Sequence, residues 1–189
     1  MNRSRTRPLT RLTVVLAAVA AALFGLVSPA SAAPYCGITW GSLPESSGGA
    51  SPAGSFVGNI RSGEHPCFDR LVVDIGAGHG FDDYSVRYVP EVRADGSGEV
   101  IPLRGDAYLE VVVQVPAYDE YGSTYGPDNP LEVVNTSGYS TFRQVAWGGS
   151  FEGYTTLGVG VRAHLPFRVL TLEGPGPWSR MVIDVAHRW

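Results

Sequence analysis

From Phe56 onward the chain changes character at every second residue, in short runs separated by turn-formers. Leu71, Val73 and Ile75 alternate with Arg70, Val72 and Asp74; Tyr84, Val86 and Tyr88 alternate with Ser85 and Arg87. Leu109, Val111, Val113 and Val115 alternate with Glu110 and Gln114, and Leu157, Val159, Val161 and Ala163 with Gly158, Gly160 and Arg162. A strand points successive side chains to opposite faces, so a period of two, rich in Val, Tyr and Thr, is the pattern of half-buried strands. The breaks are Gly76-Ala77-Gly78-His79-Gly80, Asp95-Gly96-Ser97-Gly98, Gly126-Pro127-Asp128-Asn129-Pro130 and Gly174-Pro175-Gly176-Pro177. With 24 Gly and 14 Pro the chain has little room for long helices. The expected class is all-β: a compact sandwich or a rolled antiparallel or mixed sheet, with few or short helices.

One of these runs occurs twice. Arg70-Leu71-Val72-Val73-Asp74-Ile75 is echoed by Arg180-Met181-Val182-Ile183-Asp184-Val185, matching in type at all six positions. The shared flanking Arg and internal Asp predict a pseudo-symmetric pair of central strands.

The N-terminal segment has a different composition. Arg3, Arg5, Arg7 and Arg11 precede an apolar run from Leu12 to Val27, then Pro29 and the small residues Ala30-Ser31-Ala32. This is the order of a cleavable secretory signal, with cutting after Ala32. The apolar run is shorter than the roughly 20 residues of a membrane-spanning helix. The expectation is a secreted, extracytoplasmic protein with no membrane span once residues 1–32 are removed. Loss of four arginines and no acid leaves ten basic against eighteen acidic residues, a net charge of −8. Nucleic acids are bound through basic patches that displace counterions, so none is expected as a partner of so acidic a chain.

Two cysteines, Cys36 and Cys67, remain in an oxidising setting, which favours a disulfide. The loop it closes corresponds to roughly 3.5 kcal/mol of chain entropy. His65 and Cys67 as metal ligands lack companions at ligand spacing. Residues 33–55 read as an N-terminal segment followed by a flexible linker rich in Gly, Ser and Pro, and residues 56–189 as the β domain.

Several of these residues also carry a family likeness. Gly63-Glu64-His65-Pro66-Cys67-Phe68-Asp69-Arg70-Leu71-Val72-Val73-Asp74 resembles the opening signature of AMIN-like domains. Asp95-Gly96-Ser97-Gly98, Phe151-Glu152-Gly153, Gly158-Val159-Gly160-Val161, Pro166-Phe167-Arg168-Val169 and Arg180-Met181-Val182-Ile183-Asp184-Val185-Ala186-His187 follow in the family's order. The resemblance spans about residues 56–187 and implies a small all-β domain of the cell envelope. The related AMIN domains occur beside cell-wall amidases and secretion pores, where they bind peptidoglycan and localise their partners. A wall polymer or an envelope protein is therefore the implied partner.

No catalytic set is evident. The nearest approach to G-x-S-x-G, Gly138-Tyr139-Ser140-Thr141-Phe142, lacks its second glycine, and no H-E-x-x-H occurs. His65, His79, His164 and His187 are far apart in sequence. The glycine-rich 76–80 segment leads into an alternating run, not a helix, so it reads as a hairpin connection and not a phosphate cradle. The expectation is a non-enzymatic module without cofactor or metal. The alternatives are a protein–protein adaptor, or a hydrolase whose acids (Asp119, Glu120, Glu132 or Glu152) meet only in the fold. The most suggestive segment is Tyr118-Asp119-Glu120-Tyr121-Gly122-Ser123-Thr124-Tyr125. Tyrosine offers a flat apolar face with a hydroxyl, which suits sugar rings and protein partners. Tyr118, Asp119, Tyr121, Tyr125 and Tyr139 are the ligand-contact candidates; the competing reading is that some of these rings pin the loop.

Overall fold

The computed structural model describes residues 34–189; the leader 1–32 lies outside them. Among the described residues the chain forms strands and no helix: β1 (Glu45–Gly48), β2 (Phe56–Glu64), β3 (Phe68–Gly76), β4 (Asp83–Val89), β5 (Ala107–Val113), β6 (Tyr118–Asp119), β7 (Gly122–Ser123), β8 (Phe142–Phe151), β9 (Tyr154–Val161), β10 (Phe167–Glu173) and β11 (Ser179–Ala186). They build a five-stranded sheet in the order β1-β4-β5-β9-β8, a four-stranded sheet in the order β10-β11-β3-β2, and the small hairpin β6-β7. Every pairing is antiparallel.

The inward residues of both sheets make one core. Leu71, Val73, Ile75, Met181, Ile183 and Phe167 of the four-stranded sheet join Val86, Leu109, Val111, Val113, Leu157 and Val159 of the five-stranded sheet. Each faces inward because the alternation leaves it no other side, and burial of such a side chain contributes about 1.5–3 kcal/mol. The all-β sandwich expected from periodicity is the fold found.

The echoed runs are the two middle strands of the four-stranded sheet. β3 and β11 lie side by side with Val72 opposite Val182, Arg70 opposite Asp184 and Asp74 opposite Arg180. A two-fold axis through the Val72–Val182 pair therefore exchanges the two halves of the echo.

Two local expectations are corrected. The Gly-, Ser- and Pro-rich end of the 33–55 segment is not simply a flexible linker: β1 pairs along β4, Gly41 bridges Phe167, and the Glu45 carboxylate accepts the Val169 N–H at 3.1 Å. The segment lacks an apolar pattern because this edge strand is held by its main-chain ladder to β4 and by the Glu45 carboxylate, not by apolar side chains. The 77–82 connection is not a hairpin turn either, because β3 and β4 belong to different sheets and the chain crosses between them there.

The outer face of the five-stranded sheet is covered by residues 90–106. Val92, Ile101 and Ala146 form a second small core there with Leu103 and Tyr108 packed against it. Close approach depends on the glycines of β9. A Cβ on Gly160 would lie 1.9 Å from the Arg104 carbonyl oxygen, and one on Gly158 would lie 2.9 Å from Leu103. The disulfide Cys36–Cys67, with Cα atoms 6.4 Å apart, ties the N-terminal segment to the β2–β3 turn.

Candidate functional site

The tyrosine-rich segment folds as the β6–β7 hairpin at one end of the sandwich. The chain enters it through hydrogen bonds to both sheets. Val57 N–H donates to Pro116 O at 2.8 Å, Ala117 N–H donates to Ser150 Oγ at 2.8 Å, and Thr124 Oγ1 donates to Val57 O at 2.9 Å. The turn itself is shaped by Asp119, whose Oδ1 accepts the N–H groups of Tyr121 and Gly122 at 2.8 and 3.1 Å. This is the bond an Asx turn requires, and it explains an acid at that position.

The hairpin walls a cleft of about 610 Å³ with Pro52, Phe56, Gln114, Tyr118, Asp119 and Tyr121 among its lining residues. Tyr121 is 89% exposed and Tyr118 39% exposed. Tyr118 is fixed at its tip, since its Oη accepts Gly153 N–H at 3.1 Å. Beyond Gly153 the β8–β9 turn carries two more exposed rings, Phe151 and Tyr154. Aromatic side chains left in solvent on a hairpin anchored at both ends supply flat apolar contact at small entropic cost.

The other two candidate tyrosines are structural. Tyr125 packs against Trp147 with ring centroids 5.4 Å apart, and burial pushes its hydroxyl pKa up. Tyr139 lies at the opposite end of the sandwich, half-buried against the core, with its hydroxyl 3.1 Å from Ser62 Oγ. Tyr118, Asp119 and Tyr121 are thus brought together, while Tyr125 and Tyr139 pin loops.

The proposed acids do not converge as a group. Asp119 and Glu120 line the cleft, whereas Glu132 pairs with Arg104. The carboxyls that burial raises above their ordinary range, Glu45, Asp83 and Asp95, all lie outside it. A second recess, about 560 Å³, opens on the outer face of the five-stranded sheet beside Val100, Leu103 and Leu131. Its mainly aliphatic lining suits apolar contact more than a hydroxyl-rich ligand.

A cluster that sequence reasoning missed sits at the other end of the molecule. Glu64, Asp69 and His187 bring their donor atoms within 4.8 Å of one another. Asp69 is fully buried; its Oδ2 accepts Thr141 and Phe142 N–H at 2.6 and 2.8 Å, and its Oδ1 meets His187 Nε2 at 2.9 Å. Glu64 accepts both the N–H and the hydroxyl of Ser140, at 3.0 and 2.8 Å. These donors and acceptors hold the 137–142 loop onto the sheet. Ser140 gives its hydroxyl to Glu64, so the arrangement is a clamp and not a Ser–His–Asp relay. The signal available in the sequence was parity: Asp69 lies two residues before Leu71, on the core face of β3, where a carboxylate must be partnered.

The family model for the AMIN-like domain matches residues 55–187. The chain belongs to the AMIN-like family. The match begins beside β2 and ends at His187, so it takes in the β3–β11 pair, the tyrosine hairpin and the Asp69 clamp. No curated protein and no solved structure matches the chain. AMIN-like membership makes this a domain of the cell-envelope class, and with the Cys36–Cys67 bridge it points to an extracytoplasmic location. Among the described residues no helix is long and apolar enough to cross a membrane.

Proposed function

We propose that this chain is a secreted, non-enzymatic cell-envelope module that binds a wall polymer of the peptidoglycan type through the Tyr118–Tyr121 cleft. The observation that carries the reading is a pair of solvent-facing tyrosines on a hairpin braced against both sheets, above a cleft of about 610 Å³. Sugar rings present axial C–H faces that pack on aromatic planes, and hydroxyls that Gln114, Asp119 and Glu120 can bond. Export through the 1–32 leader, cleaved after Ala32, would deliver the domain to that polymer.

Co-sedimentation with peptidoglycan sacculi tests the reading. Saturable pelleting of the chain, lost in the Tyr118→Ala/Tyr121→Ala variant at unchanged Tm, is the expected result. Absence of pelleting would move the assignment to the adaptor reading, in which the same exposed rings meet an envelope protein.

A further inference from the structure

We propose that the outer face of the four-stranded sheet is a second binding surface, for a phosphodiester-linked polyanion. The inference goes beyond the tyrosine cleft and does not depend on it. On this face Arg61 of β2, Arg70 of β3, Arg168 of β10 and Arg180 of β11 stand against only two carboxylates, Asp74 and Asp184. A chain of net charge −4 therefore carries a basic stripe on one sheet. The floor between the arginines is closed to water, with Val72 and Val182 4% and 2% exposed although they point away from the core.

The pseudo-two-fold axis shows where a cation is left over. Arg70 meets its opposite, Asp184, through Nε at 2.6 Å and Nη2 at 2.9 Å. Arg168 adds a third bond to the same buried carboxylate at 2.9 Å. The symmetry mate, Arg180, does not meet Asp74. That carboxylate is taken by Arg61 at 2.9 and 3.0 Å and by Asn59 at 3.3 Å. Arg180 instead donates Nη2 to Glu173 O at 3.0 Å, and its buried Nε has no hydrogen-bond partner among the described residues. With no carboxylate paired with it among the described residues, Arg180 is the uncompensated cation of this face.

The shape of the stripe selects the kind of anion. Arg61, Arg70 and Arg168 each spend the Nε–Nη2 edge on a carboxylate. Each keeps three N–H bonds on Nη1 and Nη2 that are not given to a carboxylate. Guanidinium groups spaced over four adjacent strands match a polymer that carries phosphodiester charges at intervals, each of which an Arg can bond. Aromatic rings border one end of the stripe, where Trp40 and Phe68 lie beside Arg168 and Arg70. They offer apolar contact for the linking units of such a chain.

Isothermal titration of the full chain with lipid-free poly(glycerol phosphate) at low salt tests this. The expected result is saturable binding that weakens with added salt and falls about tenfold in Arg180→Gln. Arg180 has no carboxylate partner among the described residues, so that substitution breaks no ion pair. Arg61→Gln should weaken binding as well, whereas Arg87→Gln, on the other sheet, should not. No binding, or binding that Arg180→Gln and Arg61→Gln leave intact, overturns the proposal. Equal affinity for poly-glutamate overturns the phosphodiester assignment. Unchanged polyanion affinity in Tyr118→Ala/Tyr121→Ala shows that this surface is separate from the cleft.

Discussion

Gly160→Ala is a stringent test of how the outer layer is held. The added methyl would lie 1.9 Å from the Arg104 carbonyl oxygen, 2.9 Å or more being the closest approach at Gly158. An ordinary carbon–oxygen contact needs roughly 3.4 Å, so the 100–106 segment must move by more than about 1 Å. The obstacle is main chain, which cannot swing aside as a side-chain tip can. Lifting the segment opens the small core of Val92, Ile101 and Leu103 to water. Partial loss of that burial, together with overpacking, predicts destabilisation of about 2–4 kcal/mol, reduced by up to about 1 kcal/mol because Ala restricts the unfolded chain. In a domain of this size that corresponds to a Tm fall of roughly 5–15 °C. Urea melts under oxidising conditions, read by tryptophan fluorescence, measure it. Gly48→Ala in β1, which meets nothing within 4 Å, is the control and should stay near the wild-type midpoint. A Gly160→Ala variant within about 0.5 kcal/mol of wild type would refute the argument that this glycine is required by contact.

Further outcomes follow from other parts of the structure. Replacing Cys36 and Cys67 together with Ala should cost about 3.5 kcal/mol of stability in chemical denaturation, from loss of loop closure in the unfolded chain. Asp69→Ala leaves the Thr141 and Phe142 N–H groups without their acceptor; a cost of about 3 kcal/mol or more is expected, with faster hydrogen exchange at those two amides. Asp95 has a pKa raised first by desolvation, against a bond from Thr156, and its Oδ2 is buried without a partner. A carboxyl raised in the folded state contributes stability below its unfolded pKa and loses it as pH rises through the folded value. Asp95→Asn should therefore stabilise the protein more at pH 7 than at pH 4, as Tm measured at both values will report.

Much of the fold was legible because the sandwich buries one face of each long strand. Parity placed Leu71, Val111 and Val159 inward, and the echo identified β3 and β11 before their pairing was known. Where a strand is held by polar bonds and not by apolar packing, as β1 is, its side chains carry no periodic apolar signal and the segment resembles a linker. The site divided along the same line. Tyr118 and Tyr121 sit in a stretch whose Asp and Gly dictate a tight exposed turn, so their exposure could be read locally. Tyr125 and Tyr139 differ from them only in long-range packing against Trp147 and Ser62, which local sequence does not encode. The Asp69–His187 contact joins residues 118 apart. Its only trace was a carboxylate at a core-facing position.

The central claim, that the hairpin cleft binds a wall glycan, is tested most directly by amide chemical-shift mapping with soluble peptidoglycan fragments. The account predicts saturable shifts concentrated at Tyr118, Tyr121 and Gly153. Shifts confined to the opposite end, around Ser140 and His187, or none at saturating ligand, would contradict it.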